Sequence, residues 1–346
     1  MKLEAASWIC PKEDMGSVCP VFWKEFSCPK PVIKAEMWLT ALGVYEARLN
    51  GQRVGDYVLA PGWTAYEKRL QYQQYDITKL LQENNSITVT VGRGWMRSRI
   101  GAGDIEGRMR QPCGILGAIH ILYYDGSEDI LHTDSSWVCA ESGTRFSEIY
   151  DGEIHDATFE PENWQSVRVL SWPKEILIPQ EGDEIREMER VSAKSVIITP
   201  RGETVVDFGQ EVTGYVEFTV EAKGQEQIRI QHGEVLDKDG NFYNENYRSA
   251  KSEIRYTCKE GIQTWHPTLT FFGFRYIKIE GLAEMPKPEQ FTAIVVYSNI
   301  RQTGTLNCSN SKLNQLFSNI FWGQKGNFLD VPTDCPQRDE RLGWTG

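Results

Sequence analysis

The sequence lacks the features of several common classes of protein. Its eight cysteines include no Cys-x-x-Cys pair and no cysteine and histidine cluster with zinc-ligand spacing, so no metal centre or cofactor is predicted. No run of about 18 or more apolar residues occurs, which argues against a membrane-spanning helix. Positive charge is scarce, because 37 Lys and Arg face 48 Asp and Glu for a net charge of −11. That balance argues against nucleic-acid and anionic-membrane partners.

A secretory signal is also missing from the start of the chain. Residues 1–8 are not a basic segment followed by an apolar stretch, which is the pattern of a cleavable leader. The cysteines are therefore expected to be reduced thiols, and the sequence predicts a cytoplasmic protein.

The first 180 residues have the pattern of a β-sandwich. A single hydrophobic core rarely grows beyond about 250 to 300 residues. The chain has 346 residues, so two or three folded units are expected. Apolar residues recur at every second position, which is typical of strands. Asn50-Gly51 and Asp125-Gly126 favour two-residue hairpin turns with positive φ at both positions. The pattern predicts a jelly-roll-like sandwich over 1–180, with clear strand runs at 41–49, 86–92 and 115–124.

Residues 181–300 form a second strand-rich block. A polar, proline-containing stretch at 172–183 separates it from the first block, so we place the domain boundary there. Six strand runs within about a hundred residues predict a second sandwich. These runs are 204–208, 214–220, 227–232, 253–258, 274–280 and 291–297.

The periodicity changes after Thr303. Over residues 311–323 the apolar positions are spaced by three, one, three and one, which predicts a helix with Ser309 and Ser311 as candidate caps. One helix cannot bury so wide an apolar face by itself, so residues 301–346 are predicted to begin a helical domain. The face consists of Leu313, Leu316, Phe317, Ile320 and Phe321.

The segment after this helix carries the residue types of sugar chemistry. Carboxylates accept hydrogen bonds from sugar hydroxyls, and a carboxyl group held protonated can donate to a glycosidic oxygen. Arginines fix such carboxylates, and an aromatic face stacks on a pyranose ring. The segment contains Asp330, Asp334, Arg338, Asp339, Glu340, Arg341 and Trp344.

The same spacing also fits the start of a helix. Asp334 would be its N-cap, and Gln337 would complete a capping box. The two interpretations are compatible, since such a helix would place Glu340 and Trp344 four residues apart on one face. An adjoining indole excludes water and favours the protonated form of a carboxyl group, which makes Glu340 the candidate general acid. Asp339 would point elsewhere and pair with an arginine.

Residues 322–346 resemble the start of the catalytic domain of bacterial α-L-rhamnosidases of glycoside hydrolase family seventy-eight. The run includes Asp-Cys-Pro-Gln-Arg-Asp-Glu-Arg-Leu-Gly-Trp-Thr-Gly at 334–346. It extends from about residue 35 to the last residue in the family's domain order. It implies a mainly β fold, with two tandem β-sandwich domains, jelly-roll-like and concanavalin-like, before the first helix and loop of an incomplete (α/α)₆ barrel. The earlier matching segments are 45–56, 59–66 and 91–95 for the N-terminal β-domain, and 206–215, 231–236 and 271–276 for the concanavalin-like domain.

The resemblance implies hydrolysis of terminal, non-reducing α-L-rhamnosyl residues with inversion. Glu340 matches the general acid, while Asp334, Arg338 and Trp344 match residues that bind rhamnose; we add Asp339 to this substrate-binding set. The family's base is a Glu beyond residue 346, so these 346 residues alone are expected to turn over negligible substrate. The implied partners are rhamnose-containing glycosides or oligosaccharides, with a homo-oligomer left open.

A non-catalytic carbohydrate-binding protein is the alternative interpretation. Trp63 and Trp95, which are flanked by glycines, are candidates for exposed indoles that stack on sugars. Trp38 and Trp137 lie in strand-like runs and are predicted to be buried. Three carboxylates of the second block either extend a sugar site or are solvated on an edge strand: Asp207, Glu211 and Glu234.

Overall fold

The computed structural model describes residues 2–99 and 110–340, which are mainly β-strand. They form two compact units, Met1–Ile149 with Phe159–Gly182 and Tyr150–Thr158 with Asp183–Gly346. The mainly β prediction is confirmed. Among the described residues the α-helix is α1, which spans Ser311–Gly326. The strands of the described residues are β1 (Trp8–Cys10), β2 (Pro20–Ser27), β3 (Val32–Ala41), β4 (Val44–Leu49), β5 (Gln52–Arg53), β6 (Leu70–Asp76), β7 (Asn84–Gly92), β8 (Ile115–Tyr123), β9 (Glu128–His132), β10 (Val138–Glu141), β11 (Thr144–Glu148), β12 (Gly152–Asp156), β13 (Gln165–Ser166), β14 (Arg168–Leu170), β15 (Leu177–Pro179), β16 (Ile185–Ser192), β17 (Ser195–Ile198), β18 (Thr204–Lys223), β19 (Gln227–Gly233), β20 (Val235–Leu236), β21 (Phe242–Tyr243), β22 (Glu253–Thr257), β23 (Glu260–Trp265), β24 (Phe272–Glu280), β25 (Phe291–Ser298), β26 (Phe328–Leu329) and β27 (Val331–Pro332).

The first unit is a sandwich of two sheets. One has the order β14-β1-β8-β3-β6-β15 with β9 on β8, and the other has the order β13-β10-β2-β7-β4-β5. Alternation sets which side chains are buried, since Ile87, Val89 and Val91 of β7 point inward at every second position. Met37 and Ile119 of the first sheet line one small cavity together with Ile87 of the second, so the two sheets face each other across the core.

The two predicted hairpin turns differ in conformation. Asn50 and Gly51 have φ 54° and 78°, as the two-residue turn between β4 and β5 requires. At the second turn only Gly126 has a positive φ, so the prediction for Asp125 is wrong. The Tyr123 N–H instead donates to the Ser127 carbonyl, which widens that turn to three residues.

The glycine-flanked tryptophans do not form the exposed pair that the sequence suggested. Trp95 is only 2% exposed, and its ring stacks on Trp63 with centroids 6.4 Å apart. Gly94 packs against Val44, where a Cβ would lie 2.4 Å from a methyl carbon. The glycine therefore permits close backbone packing that turns the next side chain inward. Trp137 is buried, as predicted.

The second unit is built on one large sheet. Its strands follow the order β12-β22-β19-β24-β18-β25-β16, and β17 and β23 also pair with β18. The two predicted strands at 204–208 and 214–220 are parts of the single strand β18, whose pairing with β24 shifts between Asp207 and Val212. This bulge sets residues 209–211 apart from the ladder. The sequence did not predict β12, which pairs in parallel with β22.

The helix α1 follows the prediction, but its cap does not. Asn310, rather than Ser309 or Ser311, accepts hydrogen bonds from the backbone N–H groups of residues 312 and 313. The predicted apolar face is about half exposed at Leu313 and Ile320. Among the described residues, no helix combines the length and hydropathy needed to cross a bilayer.

Candidate functional site

The residues after α1 form a short hairpin that is tied to the large sheet. β26 pairs with β27, and Leu329 of β26 is fully buried. The Ser298 hydroxyl, at the end of β25, accepts the Asp330 N–H at 2.8 Å. Thr213 of β18 donates to the Gly326 carbonyl at 3.0 Å. Residues 333–340, which we name the charged loop, therefore begin at an anchored point.

The charged loop contains turns and no helix, so the predicted capping box is wrong. Asp334 has φ 64°, in the left-handed region, whereas an N-cap residue is extended. The Gln337 side chain donates to Glu234 at 3.2 Å instead of closing a box. The cause is tertiary, because Pro336 and Gln337 pack against Gly273 of β24.

Three of the predicted site residues lie together in the charged loop. The Arg338 guanidinium lies 2.7 Å from Oε2 of Glu340 and 3.9 Å from Oδ2 of Asp334. Its Nε also donates to Sγ of Cys335 at 3.0 Å. Trp344, together with Arg341, lies outside the described residues. The arrangement places one cation between two carboxylates, each with oxygens that can accept hydrogen bonds from hydroxyl groups.

Asp339 pairs with an arginine, as predicted, and that arginine comes from a distant part of the chain. Nε of Arg248 lies 2.5 Å from Oδ1 of Asp339, and another nitrogen of the same guanidinium lies 3.0 Å from Oε2 of Glu340. The Ser249 N–H and hydroxyl both donate to Oδ2 of Asp339. Burial opposes ionisation of this carboxyl, but the hydrogen bonds from Ser249 and the charge of Arg248 hold its pKa below the ordinary value.

A cavity of about 380 Å³ lies beside the charged loop. The loop contributes Asp334 and Gln337, and the helix α1 contributes Trp322. Glu211 comes from β18, and Glu234 directly follows β19. Its size is within the range of about 300 to 1,000 Å³ that is usual for small-molecule sites. The cavity combines an indole with three carboxyl groups, which is a suitable lining for a polyhydroxylated ligand.

The carboxyl groups of Glu211 and Glu234 differ from those of ordinary surface glutamates. Burial, with a further contribution from the nearby Glu234 carboxylate, raises the pKa of Glu211 to about 9. Burial also raises the pKa of Glu234, although hydrogen bonds from Asn246 and Gln337 oppose the rise. Glu211 is therefore a neutral hydrogen-bond donor at pH 7, which the solvated edge-strand interpretation does not explain.

Asp207 has a structural role instead of contributing to the cavity. Arg275 holds its two carboxylate oxygens in a bidentate ion pair, with both contacts at 2.9 Å. The Gly209 N–H donates to the same carboxylate at 2.6 Å, so Asp207 fixes the bulge that leads to Glu211.

One group of possible metal ligands occurs among the described residues. Ligand atoms of Asp334, Cys335 and Glu340 lie within 4.8 Å of one another. Arg338 already contacts all three side chains. Burial raises the pKa of the Cys335 thiol, which disfavours the thiolate that binds metals. This chemistry favours the guanidinium over a metal cation as the group that balances the carboxylates.

Replacing Gly273 by Ala is expected to displace the charged loop. The new Cβ would lie 2.7 Å from Cγ of Pro336 and 3.0 Å from Cβ of Gln337. We expect overpacking to lower the apparent free energy of unfolding by about 1 to 3 kcal/mol and to speed trypsin cleavage after Arg338. Urea denaturation and limited proteolysis measure the two effects. Gly304→Ala is the matched control, because no atom lies within 4 Å of a Cβ there. Equal unfolding free energies and equal cleavage rates in the two variants would contradict the packing of the charged loop on Gly273.

Three family models match successive parts of the chain. Residues 30–189 match the α-L-rhamnosidase N-terminal domain, and residues 197–297 match the bacterial α-L-rhamnosidase concanavalin-like domain. Residues 301–346 match the bacterial α-L-rhamnosidase 6 hairpin glycosidase domain, which includes the charged loop.

Curated proteins resemble most of the length of this chain. An α-L-rhamnosidase of Formosa agariphila is 37% identical over 339 residues, a match that covers 93% of this chain and 36% of that protein. An α-L-rhamnosidase of an Alteromonas species is 36% identical, with 99% of this chain and 40% of that protein covered.

Solved structures also resemble this chain. The α-L-rhamnosidase of Aspergillus terreus superposes with a TM-score of 0.91 at 38% identity, covering 99% of this chain and 42% of that one. The α-L-rhamnosidase of Streptomyces avermitilis complexed with L-rhamnose superposes with a TM-score of 0.90 at 35% identity, covering 95% of this chain and 33% of that one. The chain thus spans about two fifths or less of the length of these relatives. With its domain models in the family's order, the chain belongs to the bacterial α-L-rhamnosidases of glycoside hydrolase family seventy-eight.

Proposed function

We propose that the protein is an α-L-rhamnosidase that hydrolyses terminal, non-reducing α-L-rhamnosyl residues of glycosides or oligosaccharides with inversion. Glu340 is the general acid, which protonates the glycosidic oxygen as its bond to the anomeric carbon breaks. Water attacks the opposite face of the sugar, and a carboxylate about 6.5 to 9.5 Å from the acid removes its proton.

The proposed roles of the other site residues follow from their charge. Asp334 accepts hydrogen bonds from rhamnose hydroxyls, and Arg338 donates to them while holding Glu340 in place. Trp344 is proposed to stack on the sugar ring. Asp339 already has Arg248 and Ser249 as partners, so its role in substrate binding remains a prediction that the contacts do not favour.

The observation that carries this proposal is the position of Asp334, Arg338 and Glu340. One guanidinium holds the two carboxylates, and Asp334 also lines the cavity of about 380 Å³. A hydrolase of this class needs an acid beside a pocket for one sugar residue. The same residues occur in the part of the chain that matches the glycosidase-domain model.

The test uses the full-length gene product, because this chain spans only part of its relatives. We expect release of p-nitrophenol from its α-L-rhamnoside, and NMR spectroscopy should detect β-L-rhamnose as the first product. Asp334→Ala should raise KM by about 10- to 100-fold, the cost of lost hydrogen bonds to a charged group. Asp239→Ala, at an exposed turn, is the matched control.

Three results would contradict the proposal. A first product with the α configuration would exclude inversion. Hydrolysis of another aryl glycoside, without hydrolysis of the rhamnoside, would exclude α-L-rhamnosides as the substrate. Tryptophan fluorescence measures the binding of L-rhamnose. Saturable binding without hydrolysis would support the non-catalytic alternative.

We also propose a cytoplasmic location. All eight cysteines are unpaired, and six of them are buried, which suits a reducing compartment. The net charge of −11 supports the prediction that nucleic acids and anionic membranes are not partners.

A further inference from the structure

A segment of the large-sheet unit holds the charged loop from outside it. This cradle segment, residues 244–252, connects β21 to β22. The Ser252 hydroxyl donates to the Gln337 carbonyl at 3.2 Å. Asn246 donates to Glu234 at 3.0 Å, on the same carboxylate oxygen that accepts from Gln337. These contacts join the loop to the sheet through residues about 90 positions earlier in the sequence.

Arg248 is held within the cradle segment in an unusual backbone conformation. Its φ and ψ are 57° and −113°, a backbone conformation that residues other than glycine rarely adopt. The Arg248 N–H donates to the Glu245 carbonyl at 3.2 Å. The preceding residue, Tyr247, is completely buried, and its hydroxyl donates to the Gly273 carbonyl at 2.7 Å. This anchoring keeps Arg248 in a conformation that directs its guanidinium to the loop.

The guanidinium of Arg248 contacts two consecutive carboxylates. Nε meets Oδ1 of Asp339 at 2.5 Å, while another nitrogen meets Oε2 of Glu340 at 3.0 Å. Arg338 reaches the same Oε2 at 2.7 Å from within the loop. Within residues 2–99 and 110–340, Oε1 of Glu340 has no hydrogen-bond partner. Two cations on one oxygen therefore orient the carboxyl group and leave the other oxygen for the substrate.

We propose that Arg248 is a positioning residue for the general acid, orienting Glu340 so that Oε1 carries the transferred proton. This inference rests on the proposed rhamnosidase function. Asp339 acts as the second anchor of the same guanidinium, because its carboxylate is also held by Ser249. An arginine suits this position, since its planar fork binds two carboxylates at once while a lysine ammonium is a single point charge.

The activity test compares leaving groups. A poor leaving group such as phenol needs the proton of the acid, whereas 2,4-dinitrophenolate departs without it. In the full-length gene product, Arg248→Ala should lower kcat/KM for phenyl α-L-rhamnoside by about 10- to 100-fold, the size expected from a misplaced catalytic group. The loss should appear in kcat while KM changes little, and 2,4-dinitrophenyl α-L-rhamnoside should be nearly unaffected. Arg248→Lys should recover only part of the activity.

The matched control is Arg190→Ala, which removes an exposed arginine paired with Glu217 on the same sheet. It should leave kcat/KM for both substrates within about twofold of the parent value, because exposed ion pairs contribute little to stability. An equal loss on both substrates with Arg248→Ala would show a general structural role and overturn the proposal.

A second measurement separates this proposal from the proposed function. Hydrogen exchange should be faster at residues 337–340 in Arg248→Ala than in the parent chain, by about tenfold, and unchanged in Arg190→Ala. Absence of rhamnoside hydrolysis in the parent protein would overturn the proposed function, whatever the exchange shows. Unchanged exchange at 337–340 would overturn the role of Arg248, whatever the activity.

Discussion

Replacing Glu340 by Gln is expected to lower kcat for phenyl α-L-rhamnoside by about 10²- to 10⁴-fold, the contribution of a positioned general acid. The amide has nearly the shape of the carboxyl group but cannot supply an acidic proton to the glycosidic oxygen. The loss should shrink strongly with 2,4-dinitrophenyl α-L-rhamnoside, because that leaving group departs without protonation. Steady-state kinetics of the full-length gene product on both substrates measures the effect.

Glu221→Gln is the matched control for this variant, since Glu221 is an exposed residue of β18. It should retain the activity of the parent protein on both substrates. Unchanged activity of Glu340→Gln would transfer the acid role to another carboxyl. Asp339 would be a poor substitute, because Arg248 and Ser249 already contact both of its carboxylate oxygens.

The second large effect concerns stability and pH. Burial raises the pKa of Glu211 to about 9 from 4.5. Below the lower value both the folded and unfolded chains hold the proton, so the group adds no pH dependence there. Between the two values only the unfolded chain releases it, and the free energy of unfolding falls as pH rises. Each pH unit in that window costs up to about 1.4 kcal/mol.

We expect Glu211→Gln to remove this dependence, because a neutral amide has no proton to release. Between pH 5.5 and pH 8 the parent chain should lose about 2 to 3 kcal/mol more of its apparent free energy of unfolding than the variant. Urea denaturation at the two pH values, followed by tryptophan fluorescence, measures the difference. Glu221→Gln, on the same strand, should behave as the parent chain does. A parallel loss in parent and Glu211→Gln would show that Glu211 ionises normally.

Local patterns predicted most of the strands, and the tertiary structure changed how they connect. The alternation in β7 and β8 appears in the fold almost at its predicted bounds, because burial of one sheet face imposes a period of two. The runs at 204–208 and 214–220 read as two strands, since residues 209–211 between them break the alternation. In the fold they are one strand with a bulge, a feature that depends on the neighbouring β24.

The composition of the site was visible in the sequence, whereas its geometry was not. Asp334, Arg338 and Glu340 are close in sequence, so any compact turn brings them near one another. The choice between a capped helix and a series of turns depended on Gly273, whose missing side chain lets Pro336 pack on the sheet. No periodicity or spacing marks Arg248, because it lies in a turn about 90 residues before its partners.

The sequence by itself determined the mainly β architecture, the helix that follows it, the family and the residue types of the charged loop, all of which depend on neighbouring residues or local motifs. Only the tertiary structure decided that Trp95 is buried, that Glu211 is neutral beside a cavity and that Arg248 holds Glu340. The physical reason is that desolvation and ion pairing depend on distances in space, and chain segments far apart in sequence set those distances.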